Sequence, residues 1–201
     1  MSLIVLATGN PHKVKEIQPL LIGAGYDTKL QTDFFNEEVD EDGLSFVENA
    51  LKKARYASKR TGLPALADDS GLEVDALNGE PGIYSARYAG NNQHKPSDLE
   101  NIQKILSGLG DLPYSQRTAR YSCVAVFVEH ENDPMPIIGV GHWYGEILKE
   151  PRTSYGIGYD PVFWIPKLVR TASEVSFETK VQLSHRTQAV NKVLQQLKQK
   201  N

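Results

Sequence analysis

An α/β fold built on a mixed sheet is what this sequence predicts, and three features carry the prediction. Short continuous apolar runs at residues 3–7 and 65–67 read as buried strands, since a strand covered on both faces needs no polar alternation. Segments with caps and helical apolar spacing follow such runs. Two long stretches rich in β-branched and aromatic residues, 117–129 and 136–148, flank the polar turn Asn132-Asp133-Pro134. They pair as an antiparallel hairpin, which makes the sheet mixed.

Along the chain, Thr8-Gly9-Asn10 ends the first run. Asn10 is a good N-cap, Pro11 suits the first helical position, and Val14, Ile17, Leu20 and Leu21 keep helical spacing until Gly23 and Gly25. Residues 35–43 are acidic and aperiodic, hence a loop. Ser45 and Glu48 have capping-box spacing, and Phe46, Ala50, Ala54 and Ala57 line a helix that stops at Gly62 before Pro64. The run 65–67 leads into Asp68-Asp69-Ser70-Gly71, placing two carboxylates at a strand end, after which Leu72, Val74 and Ala76 alternate with acids. A second capping box, Ser97 to Glu100, opens a helix whose apolar face is Leu99, Ile102, Leu106 and Leu109, ending at Gly110. A glycine-punctuated loop containing Gly156, Gly158 and Pro161 comes next. The last helix starts near Ser184 and presents Val190, Val193, Leu194 and Leu197.

The composition bounds what the protein does. At 201 residues, 40% of them hydrophobic, the chain can bury one sizeable core, and one domain over residues 1–201 is expected. A net charge of −3 argues against coating nucleic acid, which needs surplus Lys and Arg, although a small anion needs only a local cluster. Cys123, the only cysteine, lies inside an apolar run, so it reads as a buried strand residue. The start of the chain lacks a basic n-region, and no run approaches the roughly 18 apolar residues of a membrane span. A cytoplasmic protein that touches no membrane is expected.

Four motifs could carry chemistry. Thr8-Gly9-Asn10-Pro11-His12-Lys13 sets a hydroxyl, a small-residue turn and a lysine at a helix N-terminus, where free N–H groups and the helix dipole favour a phosphate. It reads equally as a plain cap with a surface lysine. Asp68 and Asp69 repel one another unless a cation or hydrogen bonds offset them. Hard oxygen ligands suit Mg²⁺, with a second carboxylate available from Asp40 or Glu41, while an Asx turn without metal is the alternative. Because strand neighbours point to opposite faces, one of the two aspartates is expected to face the ligand. Lys180 and Ser184-His185-Arg186 suit phosphate or a purine edge, or form a solvated basic helix start. Gly156-Ile157-Gly158-Tyr159-Asp160-Pro161 can press backbone against a flat base, though as a turn motif alone it is weak.

Taken in this order, the motifs resemble the non-canonical purine NTP pyrophosphatases, also called inosine or xanthosine triphosphate pyrophosphatases. The most specific stretch is ADDSGLEVDALNGEPGIYSARYAG at 67–90, supported by ATGNPHK, GLSFVENALKKA, GYDPVF and SHRTQA. The resemblance implies two lobes enclosing a nucleotide-binding cleft, a homodimer, Mg²⁺ as cofactor, and hydrolysis of ITP, dITP or XTP to the monophosphate and pyrophosphate. It implies Asp69 as the catalytic acidic residue, Thr8 to Lys13 around the triphosphate, and Ser70, Lys180, His185 and Arg186 as nucleotide contacts. Ile157, Gly158, Tyr159 and Asp160 would form the base pocket. The chain departs from the family's pattern twice: Ile157 stands where an aromatic is common, with Tyr155 two positions earlier, and the acidic loop reads Asp40-Glu41-Asp42-Gly43. A phosphotransferase and a nucleotide-sensing domain are the competing readings, and the first would need a Walker or kinase motif that the chain lacks.

Overall fold

The computed structural model describes residues 3–91 and 94–200, so Met1 and Ser2, on which part of the N-terminal reading rests, lie outside it. Seven strands form one sheet in the order β2-β1-β3-β4-β5-β6-β7. They are β1 (Leu3–Leu6), β2 (Asp27–Leu30), β3 (Ala65–Val74), β4 (Thr118–Val128), β5 (Ile137–Ile147), β6 (Phe163–Ile165) and β7 (Arg170–Thr171). The helices are α1 (Pro11–Gly23), α2 (Phe46–Thr61), α3 (Asp98–Leu109), α4 (Phe177–Leu183) and α5 (His185–Lys200). β1 is parallel to β2 and β3, whereas β6 is antiparallel to β5 and β7, so the sheet is mixed as expected. The Ile147 amide donates to the Arg117 carbonyl at 2.8 Å, which sets the end of β5 beside the start of β4 as a hairpin requires.

The chain forms two compact units: one of residues up to Ser70, Cys123–His142 and Ser184 onward, the other of Gly71–Ser122 and Trp143–Leu183. In the first unit, strand alternation sorts side chains into two cores. Ile4, Leu6, Leu66, Cys123, Ala125 and Phe127 face Ile17 and Leu21 of α1 and Ala189, Val190 and Val193 of α5. Val5, Ala7, Ala65, Ala67, Val124 and Val126 face Ala50, Ala54 and Ala57 of α2. The alanine stripe lets α2 lie close, and each fully buried Ile or Leu contributes about 1.5–3 kcal/mol. The second unit packs Leu72, Val74, Ile102, Ile105, Trp143, Ile147 and Phe163 together.

Local chemistry explains the helix limits. The Asn10 side chain accepts from the His12 amide at 2.9 Å, Ser45 caps α2 from below, and Gly62 closes it in the left-handed conformation (φ 69°) that a side chain would strain. Ser97 and Glu100 complete the α3 capping box. Two expectations need correction. The α3 face is Ile102, Ile105 and Leu109 with Leu106 partly buried beside them, while Leu99 is 56% exposed; Ile105 sits three residues from Ile102 and four from Leu109, so the face rotates away from the first turn. The second concerns β3. Ala65–Val74 is one continuous strand, so Asp68 and Asp69 sit within it, and the alternation ends at Val74. What ends there is its neighbour. β1 is in register with β3 only to Leu66, and after the Ala7 amide bonds the Leu66 carbonyl at 2.8 Å the chain turns away towards α1. Four elements lay outside the sequence reading: β2, β6, β7 and α4.

Candidate active site

Asp68 and Asp69 emerge where β1 stops covering β3, and they diverge to opposite faces of the strand. Asp68 shares the face of Leu66, towards α1 and α5. Its Oδ2 lies 3.0 Å from Lys13 Nζ and 3.1 Å from Arg186 Nε. Asp69 points towards α2, where Lys53 Nζ is 3.1 Å from Oδ1 and Asn49 Nδ2 donates to Oδ2 at 3.2 Å. Lys53 also meets Glu41 Oε1 at 2.6 Å, which brings the acidic loop beside Asp69. The Asn49 side-chain oxygen Oδ1 accepts from the Gly43 amide at 2.9 Å and fastens the same loop. Asp40 is exposed. Of the two loop acids, Glu41 is the one that shares a cation with Asp69.

Arg186, at the start of α5, organises the other face. Its guanidinium reaches Asp68, Glu16 Oε1 at 2.9 Å and the Ser70 hydroxyl at 3.0 Å. Glu16 is 8% exposed and also accepts from Ser184 Oγ at 3.3 Å. Lys13 is held by Asp68 twice, through Oδ2 and through the main-chain oxygen at 3.3 Å. Thr8 is half-buried, and Gly9, Asn10, Pro11 and His12 are exposed around the first turn of α1. His185 is 7% exposed.

These surroundings drive the two aspartates apart. Burial alone would raise the Asp68 carboxyl, but Lys13, Arg186 and Lys53 overcome it and hold the group well below the usual carboxylate range. For Asp69, burial and the Glu41 charge outweigh Lys53 and Lys13, so its carboxyl lies above the ordinary value. Lys53 is itself raised: burial opposes its charge, but Asp69, Asp68 and Glu41 more than compensate. Neighbouring acids with opposed shifts are the pattern that separates a permanent anion from a proton acceptor. The cations on both faces suit a polyphosphate, whose charge they would neutralise.

The residues also fit a hard divalent cation. Glu41 and Asp69 converge on one ammonium, and Asp68 Oδ1 is buried with no hydrogen-bond partner among the described residues. Among those residues no group of three or more His, Cys, Asp and Glu forms a ready cage.

In the second unit, Asp160 is 4% exposed and organises the glycine loop. Its Oδ2 forms a short ion pair with Lys180 of α4 and accepts from the Ile157 amide at 3.3 Å, and its Oδ1 accepts from the Tyr121 hydroxyl at 3.3 Å. Tyr159 is buried and donates to the Ser85 carbonyl at 2.7 Å. The Gly158 amide donates to Asp98 at 2.7 Å. Ile157 and Tyr155 are 46% and 63% exposed, leaving either side chain free to meet a flat ligand. Glu16, Asn49, Lys53 and Tyr121 are not among the residues to which the sequence motifs point. Only Lys53 had a detectable signal, four residues beyond Asn49 on the helix that follows the acidic loop.

Fold and site together define an α/β protein with opposed acidic and basic groups at a helix N-terminus, the equipment of an enzyme that handles phosphate esters or anhydrides. Residues 4–196 match the Ham1 family, and the chain belongs to it. Similar curated proteins bear the name dITP/XTP pyrophosphatase, two among them from Photobacterium profundum and Thioalkalivibrio sulfidiphilus. That of Photobacterium profundum is 50% identical over 198 residues, covering 98% of this chain and 99% of its own. That of Thioalkalivibrio sulfidiphilus is 54% identical over 195 residues, covering 96% and 97%. Among solved structures, a HAM1 protein from Coxiella burnetii superposes with a TM-score of 0.90 at 47% identity over 99% of this chain and 100% of its own. The Staphylococcus aureus Ham1 protein gives 0.86 at 38% identity with both chains fully covered.

Proposed function

We propose that this protein hydrolyses deaminated purine nucleoside triphosphates (ITP, dITP and XTP) to the monophosphate and pyrophosphate, removing them before a polymerase can incorporate them. The observation that carries this reading is the Asp68–Asp69 pair, split between opposite faces of β3 and flanked by Lys13, Arg186 and Lys53. The names of the relatives point to the same substrates.

Asp69 acts as the base. From its face of β3 it orients a water for in-line attack on the α-phosphorus and takes its proton, with pyrophosphate as the leaving group. Asp68 stays ionised and holds Lys13 and Arg186 in place. The Ser70 hydroxyl accepts from Arg186, so its own proton remains available for a phosphate oxygen. Glu41 and Asp69 would hold Mg²⁺, which supplies Lewis-acid neutralisation of the triphosphate. Thr8 to Lys13 receive the phosphates at the N-terminus of α1. The first lysine, Lys13, and Lys53 neutralise charge as it develops on the leaving group.

The base is assigned to residues 157–160 with Lys180. A donor such as the Lys180 ammonium suits the 6-oxo acceptor of hypoxanthine and xanthine; facing the 6-amino group of adenine it would be left unpaired, at roughly 1–3 kcal/mol per group. The resemblance to the family also supports a homodimer working in the cytoplasm. The test is incubation with Mg²⁺ and ITP, XTP, GTP or ATP in turn, scoring monophosphate and pyrophosphate, beside Asp69→Asn. Pyrophosphate from ITP and XTP, lost in the variant, is expected. Orthophosphate with a diphosphate, or binding without turnover, would refute the reading in favour of a phosphotransferase or a sensor.

A further inference from the structure

The hydroxyl of Tyr121 has no counterpart in the functions assigned so far, yet it touches the residue that organises the glycine loop. The Tyr121 ring is fixed by packing, 4.6 Å from Phe163 and 6.4 Å from Trp143 between centroids. With the ring so packed, its hydroxyl donates to Asp160 Oδ1 at 3.3 Å. The other oxygen of that carboxylate is taken by Lys180 Nζ and the Ile157 amide. Asp160 is therefore almost fully buried with both oxygens engaged from within the protein. Such a carboxylate is poorly placed to read a base itself. It links a donor-bearing helix, α4, to the loop at 157–160, and the side chain left 20% exposed at the end of that link is Lys180.

We infer that Tyr121 is a positioning and specificity-determining residue: its hydroxyl locks the rotation of the Asp160 carboxylate and so fixes where the Lys180 ammonium presents its remaining protons to the 6-oxo group of the purine. The inference rests on the proposed nucleotide reading, since without a purine substrate the lock has nothing to discriminate. A terminal carboxylate torsion is intrinsically broad, so donors on one oxygen alone leave it more freedom than donors on both. The third donor, on the opposite oxygen, removes that freedom. Burial pushes the Tyr121 phenol far above its ordinary pKa, so it remains a donor at any working pH.

Tyr121→Phe tests this with one atom removed and the ring packing kept. The expected result is a fall of about tenfold in kcat/KM for ITP and XTP, carried mainly by KM, with ATP turnover nearly unchanged, so that the ITP-to-ATP preference narrows by the same factor. Tyr88→Phe is the control. It also removes a tyrosine hydroxyl bonded to an acid, here Glu80 at 2.7 Å, and should leave the preference as it is. A Tyr121→Phe protein with an unaltered ITP-to-ATP ratio would overturn the inference. So would one that loses ITP and ATP turnover equally, which marks a merely structural role. If the unaltered protein released no pyrophosphate from ITP, the proposed function would fall and this inference with it; an active parent with an indifferent variant refutes the inference alone.

Discussion

Gly141 of β5 supports α5 at the turn that carries His185 and Arg186, and replacing it by alanine tests how far the site depends on that support. A Cβ at Gly141 would stand 2.0 Å from the His185 carbonyl oxygen and 2.8 Å from both the Ala189 amide and Gln188 Cβ. Real Cβ contacts do not fall below about 3 Å, and two of the three obstructing atoms are backbone, so the first turn of α5 must retreat by about 1 Å. Arg186 rides on that turn with contacts to Asp68, Glu16 and Ser70 at 2.9 to 3.1 Å, all of which lengthen out of range with such a shift. Overpacking of this kind costs about 1–3 kcal/mol, or roughly 2–12 °C in Tm for a chain of this size. Misplacement by 1 Å near the reacting atoms costs about a hundredfold in rate. Gly141→Ala should therefore lower kcat/KM for ITP far more than its modest loss of Tm would suggest. Steady-state kinetics on protein shown by circular dichroism to be folded provide the assay. A folded variant with activity within twofold of the parent would refute the reasoning, because it would mean that Arg186 does not need its position or that α5 absorbs the methyl elsewhere.

Three further outcomes follow from the same contacts. Asp68→Asn removes the anion shared by Lys13 and Arg186 while Glu16 remains on Arg186 alone; it should destabilise by about 3–5 kcal/mol in urea unfolding, as breaking one partner of a buried pair does, and a loss below about 1 kcal/mol would contradict the buried ion-pair account. Arg117 is fully buried and donates to the carbonyls of Ile147, Gly110 and Leu148 at 2.8, 3.1 and 3.0 Å. Arg117→Ala should cost about 3–5 kcal/mol by orphaning them, and Arg117→Lys should recover only part, because one ammonium cannot span three acceptors set for a planar fork. Equal stability of the lysine variant and the parent would count against this. The Cys123 thiol is pushed well above its ordinary value by burial first and by the Asp68 charge second. A raised folded pKa favours the neutral thiol, so its contribution is fully present below the ordinary thiol value of about 8.5 and is lost only as pH climbs through the raised one. Native protein should resist a disulfide reagent at pH 8 and react once unfolded; labelling of the native state at the unfolded rate would show the thiol to be accessible.

Local chemistry written in the chain was enough to reveal much of the fold. Caps at Asn10, Ser45 and Ser97, the stop at Gly62 and the apolar faces of α2 and α5 act over one or two turns, so their signals lie within a few residues. The long strands β4 and β5 were legible for the same reason. Short elements were not: β6 and β7 hold three and two residues, and what makes them strands is a partner, not a pattern. The site divides along the same line. Asp69, Lys13 and Arg186 could be picked out because charged residues beside an apolar strand or at a helix start are conspicuous in the sequence itself. Glu16, Asn49, Lys53 and Tyr121 looked like ordinary helix or strand residues, since what singles them out is a partner 16 to 170 positions away. The two adjacent aspartates show the division most plainly. Their sequence sets only that they repel and point apart. Burial, with Lys13 and Arg186 gathered on one face and Lys53 and Glu41 on the other, lowers one and raises the other, because desolvation and Coulomb attraction depend on where distant charges come to rest.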